Sequence, residues 1–137
     1  MIILDTNVVS ELMKPQPDFH VHDWLMQLGE IPLTTTTITV AEIEYGLQRL
    51  PNGRRKTELQ ASFAAYIQAL AVLPFDEVAA YKAGQFRAIR EASGQAAHPS
   101  DMMIAGIAAA AGAALATRNI KDFDGLQIPL SDPWRAH

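Results

Sequence analysis

The sequence predicts one α/β domain, a three-layer α/β/α sandwich around a mostly parallel central sheet of four to five short strands. Three observations predict it. Short apolar or β-branched runs alternate with longer stretches of helical periodicity along the whole chain, the pattern of strands joined by helical crossovers. The 137 residues fit one domain, and a domain of this size buries about two-thirds of its unfolded surface. An apolar content of 49% against 19% charged residues argues against disorder. No internal repeat, linker or low-complexity tract divides the chain.

The opening Ile2-Ile3-Leu4 run reads as a buried strand that ends on Asp5-Thr6-Asn7, residues that favour turns and caps over continued strand. Asn7 is expected to cap a short helix through Val8, Val9 and Leu12, stopping before Pro15 and Pro17. Val21, Trp24, Leu25 and Leu28 follow the spacing i, i+3, i+4, i+7 and predict a second helix over Phe19 to Leu28, ended by Gly29. A threonine-rich second strand is expected at about 33 to 36. Thr39-Val40-Ala41-Glu42 has capping-box spacing, which would place Glu42 in the first turn of a third helix that ends at Pro51-Asn52-Gly53. Leu59, Phe63, Tyr66, Ile67 and Leu70 mark a fourth helix, with Arg54 to Lys56 read as part of the loop before it.

Ala71 to Phe75 predicts a short strand or extended link. Asp76 can cap a fifth helix whose apolar side would carry Val78, Tyr81, Phe86 and Ile89. His98-Pro99-Ser100-Asp101 starts a sixth helix, with proline and acid where a first turn favours them. Met102 to Ala111 is nearly all apolar and small, so this helix should be buried against the sheet before Gly112 ends it. Ala113 to Thr117 reads as a buried strand, 118 to 125 as a polar loop at its tip, and Gln127 to Leu130 as a last short strand before a Pro133-Trp134 tail.

Composition removes several chemistries. Without cysteine there is no disulfide framework, thiolate nucleophile or Cys-ligated zinc. No secretory leader is expected at the first residues, and no apolar run reaches the roughly 20 residues of a membrane helix. A soluble cytoplasmic protein is the expectation. The net charge of −4 gives no global attraction to nucleic acid, so a polyanionic substrate would need a local basic patch or a metal. His20, His22, His98 and His137 lack metal-ligand spacing and are read as surface or loop residues. No Walker A loop, G-x-G-x-x-G, G-x-S-x-G or H-E-x-x-H occurs.

What remains is acidic. Asp5 at a strand tip, and Glu42 and Asp101 near helix starts, each have a local reading: a turn cap, a completed capping box, a complement to a helix dipole. Together they form a candidate cluster at the carboxyl ends of the strands, where open α/β sheets gather ligands. Carboxylates about 4 Å apart repel by roughly 4 kcal/mol per pair at an effective dielectric of 20, and a divalent cation offsets that repulsion. An all-oxygen donor set favours Mg²⁺, with Mn²⁺ as an alternative, over zinc. Such an ion suits hydrolysis of a phosphodiester by activated water.

The opening I-L-D-T-N, the T-V-A-E segment ending at Glu42, the Asp101 that begins an Ala-rich helix, and A-T-R-N-x-x-D-F at 116 to 123 closely resemble the PIN-domain ribonucleases of the VapC type, especially the FitB-like branch. The match runs in order along essentially the full chain, through Asp132-Pro133-Trp134. The resemblance implies a PIN-like fold and a Mg²⁺-dependent endoribonuclease acting as the toxin of a type II toxin-antitoxin pair. It also implies a homodimer silenced by an adjacently encoded antitoxin, with operator DNA reached only through that antitoxin. By position, Asp5 and Asp101 match the metal-binding acids and Glu42 the third acid. Thr6 and Asn7 match the supporting turn, and Thr117 the hydroxyl-bearing strand tip.

The family often carries a fourth acid near the last strand, and the matching position here is Asn119. Asn119 can orient a water without adding charge, and Asp122 or Asp124 is near enough to substitute. Arg118 and Lys121 flank the cluster and are candidate RNA-phosphate contacts, as is the basic group Arg49, Arg54, Arg55 and Lys56. Two other classes compete: an inactive PIN-like interaction module, hinted at by Asn119, and a receiver-like signalling domain. The receiver reading needs a phosphorylatable Asp at a central strand tip and a late-strand Lys, where this chain has threonines and Thr117-Arg118.

Overall fold

The computed structural model describes residues 1–135; of the four histidines, His137 lies outside the described residues. Five strands, β1 (Ile2–Leu4), β2 (Leu33–Thr36), β3 (Ala71–Leu73), β4 (Ala114–Ala116) and β5 (Leu130–Ser131), form one sheet in the order β3-β2-β1-β4-β5. Every pairing is parallel. Six helices connect them: α1 (Thr6–Leu12), α2 (Phe19–Leu28), α3 (Thr37–Gln48), α4 (Arg54–Ala69), α5 (Glu77–Ala92) and α6 (Pro99–Ala111).

A fully buried strand sends alternate residues to opposite faces, and the two cores divide accordingly. Ile3 and Leu115 pack with α5 and α6, joined by Met102, Ile104 and Phe123. Ile2, Leu4 and Ala116 pack on the other face with Val8, Trp24, Ile43 and Phe63 of α1 to α4. The apolar composition of α6 is explained by its position: Ile104, Ala105 and Ala108 are wholly enclosed. Gly112 then takes a left-handed conformation, φ 62°, and closes the helix.

Strand order determines where a ligand can sit. The chain builds outward from β1 through β2 to β3, then returns to the other side of β1 for β4 and β5. The direction reverses between β1 and β4, and the crevice beyond their carboxyl ends is the switch point of the sheet. The register pairs Leu4 with Ala116, so Asp5 and Thr117 leave the sheet side by side at that point.

Several local expectations are corrected. Asp5, not Asn7, is the N-cap of α1: its Oδ1 accepts from the Thr6 N–H at 2.8 Å. The cap of α3 is Thr36, whose hydroxyl accepts from the Thr39 N–H at 3.1 Å; the helix therefore starts directly on the strand, and Glu42 falls in its second turn. Arg54 to Lys56 belong to the first turn of α4 rather than to a loop. On α5 the buried residues are Ala79, Ala83, Phe86 and Arg90, whereas Val78, Tyr81 and Ile89 are exposed. Small alanines face α6 there because the two helices pack so closely that a Cβ on Gly106 would meet the Ala83 nitrogen at 2.9 Å. The last strand comes later than 127 to 130, at Leu130–Ser131, because the Ile128 N–H donates to the Leu126 carbonyl at 2.8 Å and turns that stretch off the ladder.

Candidate functional site

Asp5 is the best-anchored acid. Only 4% exposed, it accepts from the Thr117 hydroxyl at 2.7 Å and from the Asn7 amide at 3.4 Å on Oδ2, while Oδ1 takes the Thr6 N–H. Burial raises its pKa above the usual aspartate value; the Thr117 and Thr6 bonds work against that rise, and the charge of Glu42 adds to it. These bonds tie two segments together, 5–7 and 117–119. The Thr117 hydroxyl, having donated to Asp5, accepts from the Asn119 N–H at 3.1 Å, and the Asn7 side-chain oxygen accepts from the Arg118 N–H at 3.1 Å.

Glu42 reaches the same place from α3. Its Oε1 accepts from the Thr6 hydroxyl at 2.8 Å, and Thr6 lies 3.0 Å from the Thr39 hydroxyl. Since the Thr6 proton goes to Glu42, Thr39 must donate to Thr6, so a hydroxyl pair from two helices orients the carboxylate. The sequence alone assigns Thr39 only a capping role; in the fold its buried hydroxyl supports Thr6 beneath Glu42, and its spacing of three from Glu42, about one helical turn, is the signal for that in the sequence.

Asp101 sits in the first turn of α6 and is the most perturbed acid. Its pKa is pushed up to about 6, first by burial, then by the charges of Asp5 and Asp122, with His98 opposing and Glu42 adding. The four acids Asp5, Glu42, Asp101 and Asp122 thus share one field. Asp122 lies in a 3₁₀ turn, Ile120–Asp122, beyond β4. Asn119 is exposed and touches the network through its backbone.

The cations are differently disposed. Arg118 is exposed, with its guanidinium 4.8 Å from the centre of the Trp134 ring. The Lys121 side chain is exposed as well. Arg54 pairs with Glu58 on its own helix at 2.8 Å, and Lys56 reaches Asn52, in the turn before that helix, at 3.3 Å. Arg49 lies over Tyr45. His20, His22 and His98 are exposed. Next to Thr6 and Glu42, an apolar groove of about 260 Å³ runs between Met13, Ile43, Leu47 and Leu59. Among the described residues, no helix is long and apolar enough to cross a membrane.

Comparison with known proteins identifies the family. The PIN domain family matches residues 2–127. The chain is 38% identical to the VapC ribonuclease Y4jK of Sinorhizobium fredii, across 98% of both chains. It is 35% identical to the toxin FitB of Neisseria gonorrhoeae, across 98% of this chain and 99% of that one. Among solved structures, FitAB bound to an IR36 DNA fragment superposes with a TM-score of 0.90 at 34% identity, covering 100% of this chain and 98% of that one. The chain belongs to the PIN domain family, and within it to the toxins of the VapC and FitB type.

Proposed function

We propose that this chain is a divalent-metal-dependent endoribonuclease, the toxin of a toxin-antitoxin pair, that hydrolyses RNA phosphodiester bonds at the Asp5, Glu42, Asp101 and Asp122 cluster. The observation that carries this reading is geometric: Asp5, buried at the tip of β1 and held by the Thr117 hydroxyl, shares Thr6 with Glu42, and Asp101 in the first turn of α6 has its pKa raised by burial and by these neighbouring acids. An acidic cluster that repels itself at the switch point of a parallel sheet is suited to a cation.

The donor set fits Mg²⁺ or Mn²⁺. All donors are oxygens, which favours a hard ion over zinc. Among the described residues, no group of three or more Asp, Glu or His side chains is arranged to hold a metal by itself. Mg²⁺ characteristically takes one or two carboxylates and keeps several waters, and the buried Asp5 with the half-buried Asp101 supply such a pair. When bound, the ion lowers the pKa of a water and neutralises charge developing on the phosphate.

The chain's own residues do the positioning. Thr117 and the Thr6 N–H hold the Asp5 carboxylate in one rotamer, which leaves its charge fixed rather than mobile. Thr6 and Thr39 aim Glu42, an exposed acid that can take a proton from an attacking water. Asp122 raises the negative potential at Asp101, and Arg118 at the rim can contact a phosphate of the RNA. Asn119 or Asp122 fills the fourth-acid role. Regulation by a cognate antitoxin follows from the likeness to FitB, which is found with its partner in the FitAB structure. A homodimer that reaches operator DNA only through the antitoxin, working in the cytoplasm, completes the reading; the net charge of −4 gives the toxin itself little attraction for DNA.

The test is cleavage of a total-RNA pool by antitoxin-free protein with Mg²⁺ and with EDTA, for wild type and Asp101→Asn. Cleavage that requires both the ion and Asp101 is the expected outcome. A folded protein that binds Mn²⁺ and cuts no RNA would move the chain to the inactive interaction modules.

A further inference from the structure

We propose that Arg90 is a positioning residue for the acidic site: from the last turn of α5 it clamps the segment 121–124 by its backbone carbonyls and so fixes Asp122 beside Asp101. This rests on the metal-site reading above and deepens it. Arg90 is 3% exposed. Its Nε donates to the Ala96 carbonyl at 2.6 Å, one terminal nitrogen to the Asp124 carbonyl at 2.5 Å, and the other to the Lys121 carbonyl at 3.1 Å. No carboxylate lies within ion-pair distance of it among the described residues.

A guanidinium taken out of water without a counter-ion is costly, and a methionine would fill a helix-loop junction without that cost. The arginine supplies a planar fork of N–H groups that reaches three carbonyls on two segments at once, which neither lysine nor an apolar side chain can do. The clamped segment has little order of its own. Its regular structure is one 3₁₀ turn, closed by the Asp122 N–H on the Asn119 carbonyl. Phe123, wholly buried in the α5/α6 core, fixes its depth. Arg90 grips Lys121 and Asp124, on either side of Asp122, and so fixes its rotation. The charge of Asp122 registers at Asp101, so the clamp sets a carboxylate of the site from a side chain on the far side of the loop.

The experiment compares wild type, Arg90→Lys, Asp122→Asn and the double variant. Mn²⁺ affinity is read by titration without RNA, and backbone amide exchange is read with and without Mn²⁺. Arg90→Lys should raise exchange across 120–124 at least several-fold while β1 and α6 keep their protection. It should also weaken Mn²⁺ by about tenfold, the usual effect of losing a group that orients a ligand. In the Asp122→Asn background the same change should have little further effect on the affinity. In the wild type, independently of any variant, Mn²⁺ should slow exchange in 120–124. An Arg90→Lys protein that melts earlier but binds Mn²⁺ like wild type would show a purely structural arginine and overturn the proposal, as would full additivity with Asp122→Asn or unchanged wild-type exchange. A wild type that binds no Mn²⁺ overturns the metal-site reading and this one with it.

Discussion

At the scale of single residues, the site is a compromise between stability and charge, and Asp101 shows it best. Its folded pKa of about 6 lies above the unfolded value of 3.8. The folded state therefore holds the proton more tightly, and metal-free protein should lose stability as pH rises from about 4 to about 6. Asp101→Asn removes this liability: at pH 7 without metal it should melt a few degrees higher than wild type, and its melting temperature should not fall across that pH range on account of this residue. Parallel pH-melting curves in EDTA check this, and curves of equal slope would show that Asp101 titrates normally. The places of Asp5 at a strand tip and Asp101 in a first helical turn were legible in the sequence, whereas Glu42, expected in a first turn, lies in the second. Their supports were less legible. Asn7 looked like the cap and Thr39 like half of a capping box; in the fold Asp5 and Thr36 do the capping, because the helices begin directly on the strand ends with no intervening turn.

At the scale of elements, the sequence pattern placed the six α-helices and the strands β1, β2 and β4, left 71–75 as a strand or extended link, and set the last strand too early; it failed where packing departs from the size of side chains. The fifth helix has its larger apolar residues, Val78, Tyr81 and Ile89, on the exposed side, and a hydrophobic stripe read from the sequence follows size. The buried side is lined by alanines because α6 approaches to backbone distance at Gly106. A Cβ there would collide with the Ala79 carbonyl oxygen and crowd the Ala83 nitrogen, and neither atom can swing away as a side chain could. Gly106→Ala, although it improves helix propensity by roughly 1 kcal/mol, should destabilise the protein by about 2 kcal/mol or more. Urea unfolding of the two proteins measures the difference. A neutral or stabilising substitution would mean that the helices can separate at little cost. The β5 misplacement has a similar origin, since Leu126 and Ile128 alternate like a strand while the backbone between them is turned by its own hydrogen bond.

At the scale of the whole molecule, the topology places acids at one crevice, and the cations must be considered against an overall charge of −4. If the chain is the ribonuclease proposed above, RNA is not drawn to such a surface globally, and its binding should depend on the cations at the rim that have no carboxylate within ion-pair distance among the described residues. Arg118 is the clearest: its N–H is held by Asn7, next to Asp5, and its guanidinium rests on Trp134. A guanidinium held over a ring face by a cation–π contact can still donate its N–H groups to a phosphate. Arg54, equally basic in the sequence, is engaged with Glu58 on α4. The two arginines should therefore separate in salt dependence. Measured on Asp101→Asn protein so that RNA survives, the slope of log affinity against log salt should fall by about 0.7 for Arg118→Gln, the value for one phosphate contact on a single strand. Affinity should drop similarly for RNAs of different sequence, because a phosphate contact carries no base information. Arg54→Gln should leave the slope unchanged. If Arg54→Gln lowers the slope and Arg118→Gln does not, the RNA path runs over α4 instead of past the tip of β4, and the rim at Trp134 has no part in holding it.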